Sequence, residues 1–291
     1  MRKGGNALTF VHLHVYSSYS LLSSTAGIEQ LVKNAKMKGF SAVALTDYNV
    51  MYGTFAFYKE CMKQGIKPIV GLTVDVMSVL EEEKSYPLVL LAKNQAGYRN
   101  LLKISSAVQT KAKEGLPVKW LKAYSGGLIA FTPGLRGEIE TNILRGNKEK
   151  ALLCTERLKE TFEEDSFFLA IQNHGLNEEL QVMEEMVRIS GKTGIGLIAT
   201  NEVYYLEKED SFAHECLLAI KHGKKLQDEN REKLKNDEYY LKTASEMTDL
   251  FSAFPDALEN TLKIAEQCRV ELDMGKLNLP AYPVPDGLTA D

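Results

Sequence analysis

Short apolar runs recur along the chain, and polar residues or glycine bound each of them. Apolar runs without polar alternation are typical of strands that are buried on both faces of a parallel sheet. The pattern therefore predicts seven strands, at residues 10–15, 42–45, 69–72, 88–92, 128–131, 167–171 and 197–199.

Segments with helical spacing separate most of these runs. One apolar stripe begins at Ile28 and Leu31, and another consists of Leu180, Met183 and Val187, so each predicts a helix with an inward face. Alternating strands and helices predict right-handed βαβ units, arranged either as an open sheet or as a closed barrel. Because the glycine-rich patterns of dinucleotide and phosphate loops are absent, the barrel is favoured.

The pattern changes after about residue 221. Six basic and five acidic side chains nearly cancel over residues 221–238, which predicts a solvated surface connection rather than a phosphate-binding loop. A further helix is predicted after Pro255. Pro280, Pro283 and Pro285 then predict an extended, linker-like segment near the end of the chain.

Composition limits the classes of function that are open to the chain. Its 291 residues include 35 Lys and Arg against 39 Asp and Glu, which gives a formal net charge of -4. A chain that is 44% hydrophobic can bury a real core. Because the net charge is slightly negative, the surface as a whole does not attract duplex DNA. Any contact with nucleic acid must therefore be local or be made by another part of the protein.

The four cysteines lie far apart and form no CxxC pair, so neither a zinc ribbon nor a disulfide framework is indicated. A reducing, cytoplasmic location is expected. The basic start of the chain is followed by no signal-peptide pattern. The apolar runs are far shorter than the roughly 20 residues of a membrane-spanning helix, so no membrane association is expected.

Candidate chemistry lies just after the apolar runs, because barrel enzymes carry their active sites at the carboxyl ends of strands. His12 and His14 are two residues apart and could share a metal; alternatively, one is packed and the other is bonded to the backbone. Asp47 could bind metal or cap a turn. His174 and Glu202 could complete a metal cluster, although five histidines in the whole chain are few for several metals.

Eight motifs occur in a characteristic order and spacing. They are FVHLHVYS at 10–17, ALTD at 44–47, GIKPIVG at 65–71, LLAKN at 90–94, GYRNL at 97–101, ATNEVYYL at 199–206, NTLKIAEQC at 260–268 and LPAYPVPDG at 279–287. Together they resemble the PHP domain of bacterial DNA polymerase III alpha subunits, and the DnaE type of Gram-positive bacteria is the most similar branch. The resemblance covers about residues 9–289.

The resemblance implies an α/β fold, namely the PHP fold, which is a distorted seven-stranded (β/α) barrel with a helical and extended C-terminal tail. The implied organisation has four parts, which are an N-terminal extension at 1–8, the PHP barrel at 9–221, a charged loop and helical segment at 222–270 that completes the PHP domain, and a linker toward the polymerase core at 271–291.

The resemblance also locates the metal-ligand positions of metal-bearing relatives. They fall at His14, Tyr16, Ser23, Tyr48, Thr73, Pro87, Ala170, His174, Glu202 and Tyr204. Only three of these positions keep a histidine or a carboxylate, so we expect a vestigial site without metal. The rings of Tyr16, Tyr48 and Tyr204 would fill the former cavity, and their hydroxyl groups would bond to His14 or Glu202. The only residual ligands would be His12, His14, Asp47, His174 and Glu202.

The implied function is that of the N-terminal PHP domain of a replicative DNA polymerase, acting as a structural and interaction module without chemistry or a cofactor of its own. The parent polymerase would synthesise DNA by nucleotidyl transfer with magnesium held by carboxylates outside these residues. Expected partners are the remaining polymerase domains of the same chain and other replisome subunits, with DNA bound only through the parent. The alternative is an active phosphoesterase, either a proofreading 3'-5' exonuclease or a pyrophosphatase, that uses zinc or manganese. A small-molecule phosphatase of the histidinol-phosphate type is disfavoured by the polymerase-like tail.

Overall fold

Six strands form one curled sheet in the computed structural model, which describes residues 10–81, 83–273 and 275. In sheet order they are β1 (Ala42–Leu45), β2 (Lys67–Met77), β3 (Ser85–Ala92), β4 (Leu128–Phe131), β5 (Phe167–Ile171) and β6 (Leu197–Ala199). The pairs β1–β2, β4–β5 and β5–β6 are parallel, as predicted. In contrast, β3 runs antiparallel to both neighbours, and its short connection from β2 is that of a hairpin.

Helices cover the outside of the sheet. They are α1 (Ile28–Met37), α2 (Thr54–Gln64), α3 (Gln95–Thr110), α4 (Val118–Ala123), α5 (Glu138–Leu144), α6 (Lys148–Lys159), α7 (Asn177–Thr193), α8 (Ser211–Lys221), α9 (Ala244–Leu250) and α10 (Pro255–Gln267). The helix predicted after Pro255 is therefore confirmed as α10. The predicted stripe on α7 was wrong for Leu180 and Val187, which are exposed, whereas Met183 is buried together with Val182 and Met186.

The first predicted strand is not a regular strand. Residues 10–16, which we call the closing segment, lie along β1, where the Ala44 amide donates to the His12 carbonyl at 2.9 Å and the Thr46 amide to the Val15 carbonyl at 2.8 Å. The closing segment therefore advances three residues, from His12 to Val15, where β1 advances two, from Ala44 to Thr46. This extra residue is the feature of a β-bulge. The Thr46 hydroxyl accepts the hydrogen bond of the Val15 amide at 3.0 Å, so a side chain replaces one bond of the ladder.

The closing segment also contacts the opposite edge of the sheet. The Tyr16 amide donates to the Val203 carbonyl at 3.0 Å, and the Val203 amide donates to the His14 carbonyl at 3.1 Å, just after β6. The segment therefore bridges both edges of the curled sheet. The predicted α/β fold is confirmed, but the described residues form six regular strands rather than seven.

Alternate residues of the strands divide the core into two clusters. Val43 and Leu45 pack with the covering helices, whereas Ala42 and Ala44 face an inner cluster to which all six strands contribute. Of the helices, α10 reaches this inner cluster, where it places Ile264, and so it covers one end of the barrel. The inner cluster is thus apolar, and the polar side chains of Asp47 and Glu202 follow the ends of β1 and β6.

Two predicted parts of the chain fall at least partly outside the described residues: the N-terminal extension at 1–8 and most of the linker at 271–291. The charged connection after α8 is exposed over residues 221–230, as predicted. Within the described ranges, no helix is both long and apolar enough to cross a membrane.

Candidate functional site

An ion pair occupies the centre of the site that the resemblance implies. Glu202 follows β6 and is buried, and its Oε1 accepts hydrogen bonds from Arg136 Nη2 at 2.6 Å and from the Tyr204 hydroxyl at 2.7 Å. Burial alone would raise the pKa of Glu202, but the Arg136 guanidinium outweighs it, so the pKa lies below its ordinary value. Glu202 is therefore ionised and already matched by a cation.

Two tyrosine rings fill the space beside this ion pair. Tyr16 is 1% exposed, and its ring stacks on Tyr204 with centroids 4.9 Å apart and an interplanar angle of 17°. A hydrogen bond of 2.8 Å joins the Tyr16 hydroxyl to His14 Nε2. As expected from the sequence, the two hydroxyl groups bond to His14 and Glu202.

Tyr48 behaves differently from the other two tyrosines. Its hydroxyl donates to Asp75 Oδ1 at 2.5 Å rather than to a former metal ligand, and Asn49 donates to the other oxygen of Asp75 at 2.9 Å. The Arg136 guanidinium lies 5.6 Å from the centroid of the Tyr48 ring, within range of a cation–π interaction. Arg136 thus links Tyr48 to Glu202 across the mouth of the site.

The two candidate histidines of the closing segment have separate partners. His12 Nε2 bonds to the Lys242 carbonyl at 2.7 Å, and its ring packs edge-on against Phe10 and Phe40. Burial lowers the pKa of both His12 and His14 to about 4, so both rings are neutral at pH 7. The two rings share no hydrogen-bond partner among the described residues, and His12 matches the alternative of a histidine held by the backbone.

His174 is fixed by a carboxylate. Its Nδ1 lies 2.6 Å from Glu179 Oε1, its amide donates to Glu179 Oε2 at 2.6 Å, and its ring stacks on Tyr239 with centroids 4.1 Å apart. A carboxylate on one ring nitrogen is the arrangement that orients metal-binding histidines. The other nitrogen, Nε2, is buried without a partner among the described residues.

Asp47 serves as an anchor for the loop after the closing segment. Its carboxylate accepts from the Ser17 amide at 2.7 Å, from the Ser17 hydroxyl at 2.8 Å and from the Ser20 hydroxyl at 2.6 Å. Burial raises the pKa of Asp47 above its ordinary value, and these hydrogen bonds oppose the rise. The turn-capping alternative therefore describes the geometry of Asp47.

The remaining implied positions make structural contacts. The Thr73 hydroxyl donates to the carbonyl of residue 46 at 2.9 Å, and the amide of Ala170 donates to a threonine hydroxyl at 2.9 Å. The Ser23 hydroxyl accepts from Lys221 Nζ at 2.8 Å, and Pro87 lies opposite Asp75 in the β2–β3 ladder.

The donor set does not fit a divalent metal. Across residues 10–81 and 83–273, no group of three or more His, Cys, Asp or Glu side chains is arranged to hold a metal ion. The permanent charge of Arg136 sits 2.6 Å from the carboxylate of Glu202 and would repel a second cation. Whether the protein is free of metal stays a prediction, which the experiment below tests.

The sequence did not lead to Arg136, whose side chain contacts both Glu202 and the Tyr48 ring. A signal was present, because Arg136 lies shortly after the apolar run of β4, at a carboxyl strand end where candidates were sought. Only metal-ligand side chains were considered there, and arginine is not one. Glu179 and Asp75 were missed because their roles depend on partners that the fold brings to them.

Comparison with known proteins assigns the chain to a family. The sequence profile of the PHP domain matches residues 12–174, which is more than half of the chain. The chain belongs to the PHP-domain family.

Two relatives are DNA polymerase III alpha subunits. The subunit of Bacillus subtilis (strain 168) is 45% identical over 284 residues, covering 98% of this chain and 25% of the relative. That of Treponema pallidum (strain Nichols) is 37% identical over 289 residues, covering 96% of this chain and 25% of the relative. The chain thus spans about a quarter of the length of these relatives. Among solved structures, an amidohydrolase from Chromobacterium violaceum superimposes with a TM-score of 0.46 at 11% identity, covering 67% of this chain and 87% of that one.

Proposed function

We propose that this chain is the N-terminal PHP domain of the alpha subunit of a bacterial replicative DNA polymerase. In this role it braces the polymerase core and offers surface to other replisome subunits, and it performs no chemistry itself. The observation that carries the proposal is the Arg136–Glu202 ion pair, which places a cation from the protein where a phosphoesterase of this family would need an open metal site.

The surroundings of the ion pair support the same conclusion. Tyr16 and Tyr204 are stacked in contact with it, so the space for a substrate phosphate is filled by rings. A catalytic metal site needs an open coordination position and a ligand set that can bind the ion. Here the remaining carboxylate bonds to an arginine, and one of the remaining histidines bonds to a tyrosine.

One observation favours the alternative of a metal-dependent phosphoesterase. His174 Nε2 and His14 Nδ1 are buried and have no partner among the described residues. Two imidazole nitrogens could bind a metal weakly if Arg136 moved away from Glu202. The two functions therefore differ in whether the folded protein holds a stoichiometric metal.

Metal content separates the two functions directly. Purified without added metal, the protein is expected to contain well under one equivalent of zinc or manganese by elemental mass spectrometry. A chelator should leave its melting temperature unchanged, because a ligand that does not bind the native state cannot stabilise it. One equivalent of metal together with a melting temperature that falls on chelation would overturn the proposal in favour of the phosphoesterase.

The bracing role is tested in the parent polymerase. We expect His14→Ala to leave primer elongation nearly intact, whereas Leu90→Ala, which removes a fully buried side chain of β3, should cost about 2–5 kcal/mol of stability and reduce elongation. Steady-state primer extension should be compared at matched folded fraction. Loss of a metal-dependent nuclease signal in His14→Ala, without a change in melting temperature, would contradict a purely structural role.

A further inference from the structure

Positive charge is concentrated in one stretch of an otherwise acidic chain. Residues 94–135 contain a single acidic residue, Glu114, although the whole chain has a net charge of -4. The six cations of this stretch are all exposed. They are Arg99, Lys103, Lys111, Lys113, Lys119 and Lys122. We call the surface that they form the basic face.

The cations of the basic face lack neutralising partners. None of the six lies within 4.0 Å of a carboxylate in the described part of the chain. Some other lysines are paired, as Lys84 and Lys150 are with Glu81. The one aromatic contact is that of Lys103 Nζ, which lies 5.6 Å from the centroid of the Tyr124 ring.

The two helices that carry the basic face are adjacent. Leu101 and Ile104 turn inward from α3, which leaves Arg99 and Lys103, four residues apart, on its outer surface. The Asn100 side chain donates to the Gly126 carbonyl at 2.9 Å, and this bond fixes α3 against the segment that follows α4. The loop between the helices carries Lys111 and Lys113, so the six exposed cations follow one another along α3, this loop and α4.

A groove next to α4 argues against a short acidic peptide as the occupant. Its volume is about 630 Å³, and Lys119 and Lys122 are the only cations of the basic face that line it. Arg157 and Glu160 also line this groove, and their opposite charges offset each other there. The other four cations lie outside the groove, so a ligand that contacts all six must be longer than the groove. A polymer with regularly spaced negative charges meets this requirement.

We infer that the basic face binds the phosphate backbone of nucleic acid without regard to sequence. Exposed lysines and arginines that neutralise phosphates release counterions, and this release supplies most of the non-specific affinity for DNA. The choice of nucleic acid over an acidic protein rests on the proposed function, in which the parent handles DNA. The face would give the domain a DNA contact of its own, in addition to those of the parent.

Fluorescence anisotropy with a labelled DNA duplex of about two helical turns tests the inference on the 291-residue chain. At physiological salt we expect a dissociation constant of about 10⁻⁶–10⁻⁴ M that strengthens steeply as salt is lowered. The triple variant Lys103→Glu, Lys119→Glu and Lys122→Glu should bind at least about tenfold more weakly. Its slope of log affinity against log salt should be smaller by about three, since each lost phosphate contact removes about one.

The matched control is Lys224→Glu, Lys225→Glu and Lys233→Glu, which makes the same change in net charge on the exposed connection after α8. At about 0.1 M salt, where screening acts over about 10 Å, this control should bind DNA nearly as the unmodified protein does. Circular dichroism and melting temperature establish that both variants are folded.

Two outcomes would overturn the inference. An equal loss of affinity in both triple variants would show that net charge alone is responsible. A poly-glutamate peptide that displaced the duplex at a lower charge concentration than unlabelled DNA would show that the face prefers an acidic protein. Neither outcome bears on the proposed bracing role, because metal content and elongation by the parent are measured separately.

Discussion

Tyr16→Ala is expected to lower the free energy of unfolding by about 3–5 kcal/mol, as the loss of large buried side chains does. Tyr16 is 1% exposed, and its ring is stacked on Tyr204, so its removal leaves a cavity in the middle of the site. The change also removes the hydroxyl that bonds to His14 Nε2 at 2.8 Å, and a buried polar atom is left without that partner. Urea unfolding monitored by circular dichroism gives the difference.

Two control variants distinguish the stability contributed by the buried ring from that of its hydroxyl group and from the effect of removing a tyrosine at the surface. Tyr16→Phe keeps the ring but leaves His14 Nε2 buried without this partner, so it should cost about 1–3 kcal/mol. Tyr19→Ala removes the same side chain at a position that is 38% exposed, so it should cost clearly less than Tyr16→Ala. If Tyr16→Ala were no more costly than Tyr19→Ala, the rings would not support the site.

Glu140 is expected to make the protein less stable as pH rises through 7. This side chain of α5 is fully buried, and its Oε1 accepts a hydrogen bond from the Gly134 amide at 3.3 Å. Its Oε2 has no partner in the described part of the chain. Burial raises the pKa of Glu140 from 4.5 to about 7, and the hydrogen bonds only partly oppose the rise.

The sign of the effect follows from the raised pKa. The folded state binds the proton of Glu140 more tightly than the unfolded state, so the stabilisation is complete below about pH 4.5 and is lost as pH rises through 7. The difference in pKa corresponds to about 3 kcal/mol at alkaline pH. Titratable side chains near this carboxyl include Glu138 on its own helix and Cys154 on α6, and Tyr86 lines the same small cavity.

Urea unfolding between pH 5 and 9 checks this expectation. Glu140→Gln should remove the fall in stability between about pH 5 and 7, because glutamine stays neutral throughout the range. The exposed Glu149→Gln, on α6, provides a matched control and should keep the pH profile of the unmodified protein. Parallel profiles for the unmodified protein and Glu140→Gln would show that Glu140 titrates normally in the folded state.

The parts of the fold that the sequence predicted are those whose burial is uniform. The runs at 42–45, 128–131, 167–171 and 197–199 coincide with β1, β4, β5 and β6, because these short strands are mostly buried on both faces. β2 and β3 are longer than predicted, since their outer ends are half-buried and include Asp75 and Pro87. Those residue types are depleted in strands, so the apolar pattern stops before the ladder does.

The site was less predictable than the sheet. The positions of Tyr16 and Tyr204 followed from the resemblance, and their hydroxyl bonds agree with the expectation. The role of Arg136 could not follow from its neighbours in the chain, because its partner Glu202 is 66 residues away. The irregular backbone of the closing segment likewise depends on Thr46, whose side chain reaches the segment only once the sheet has formed.

The closing segment has a consequence for synthesis on the ribosome. It forms a β-bridge between Val15 and Val203 at the far edge of the sheet. The closing segment is synthesised early, but this bridge can form only after Val203 has been synthesised. At roughly 5–20 residues per second, about 10–40 s pass between the synthesis of these two residues. During that interval the nascent sheet cannot close, and the buried side chains of Phe10 and Val15 lack their final neighbours. The beginning of the barrel is therefore among the last parts of the sheet that can reach their native positions.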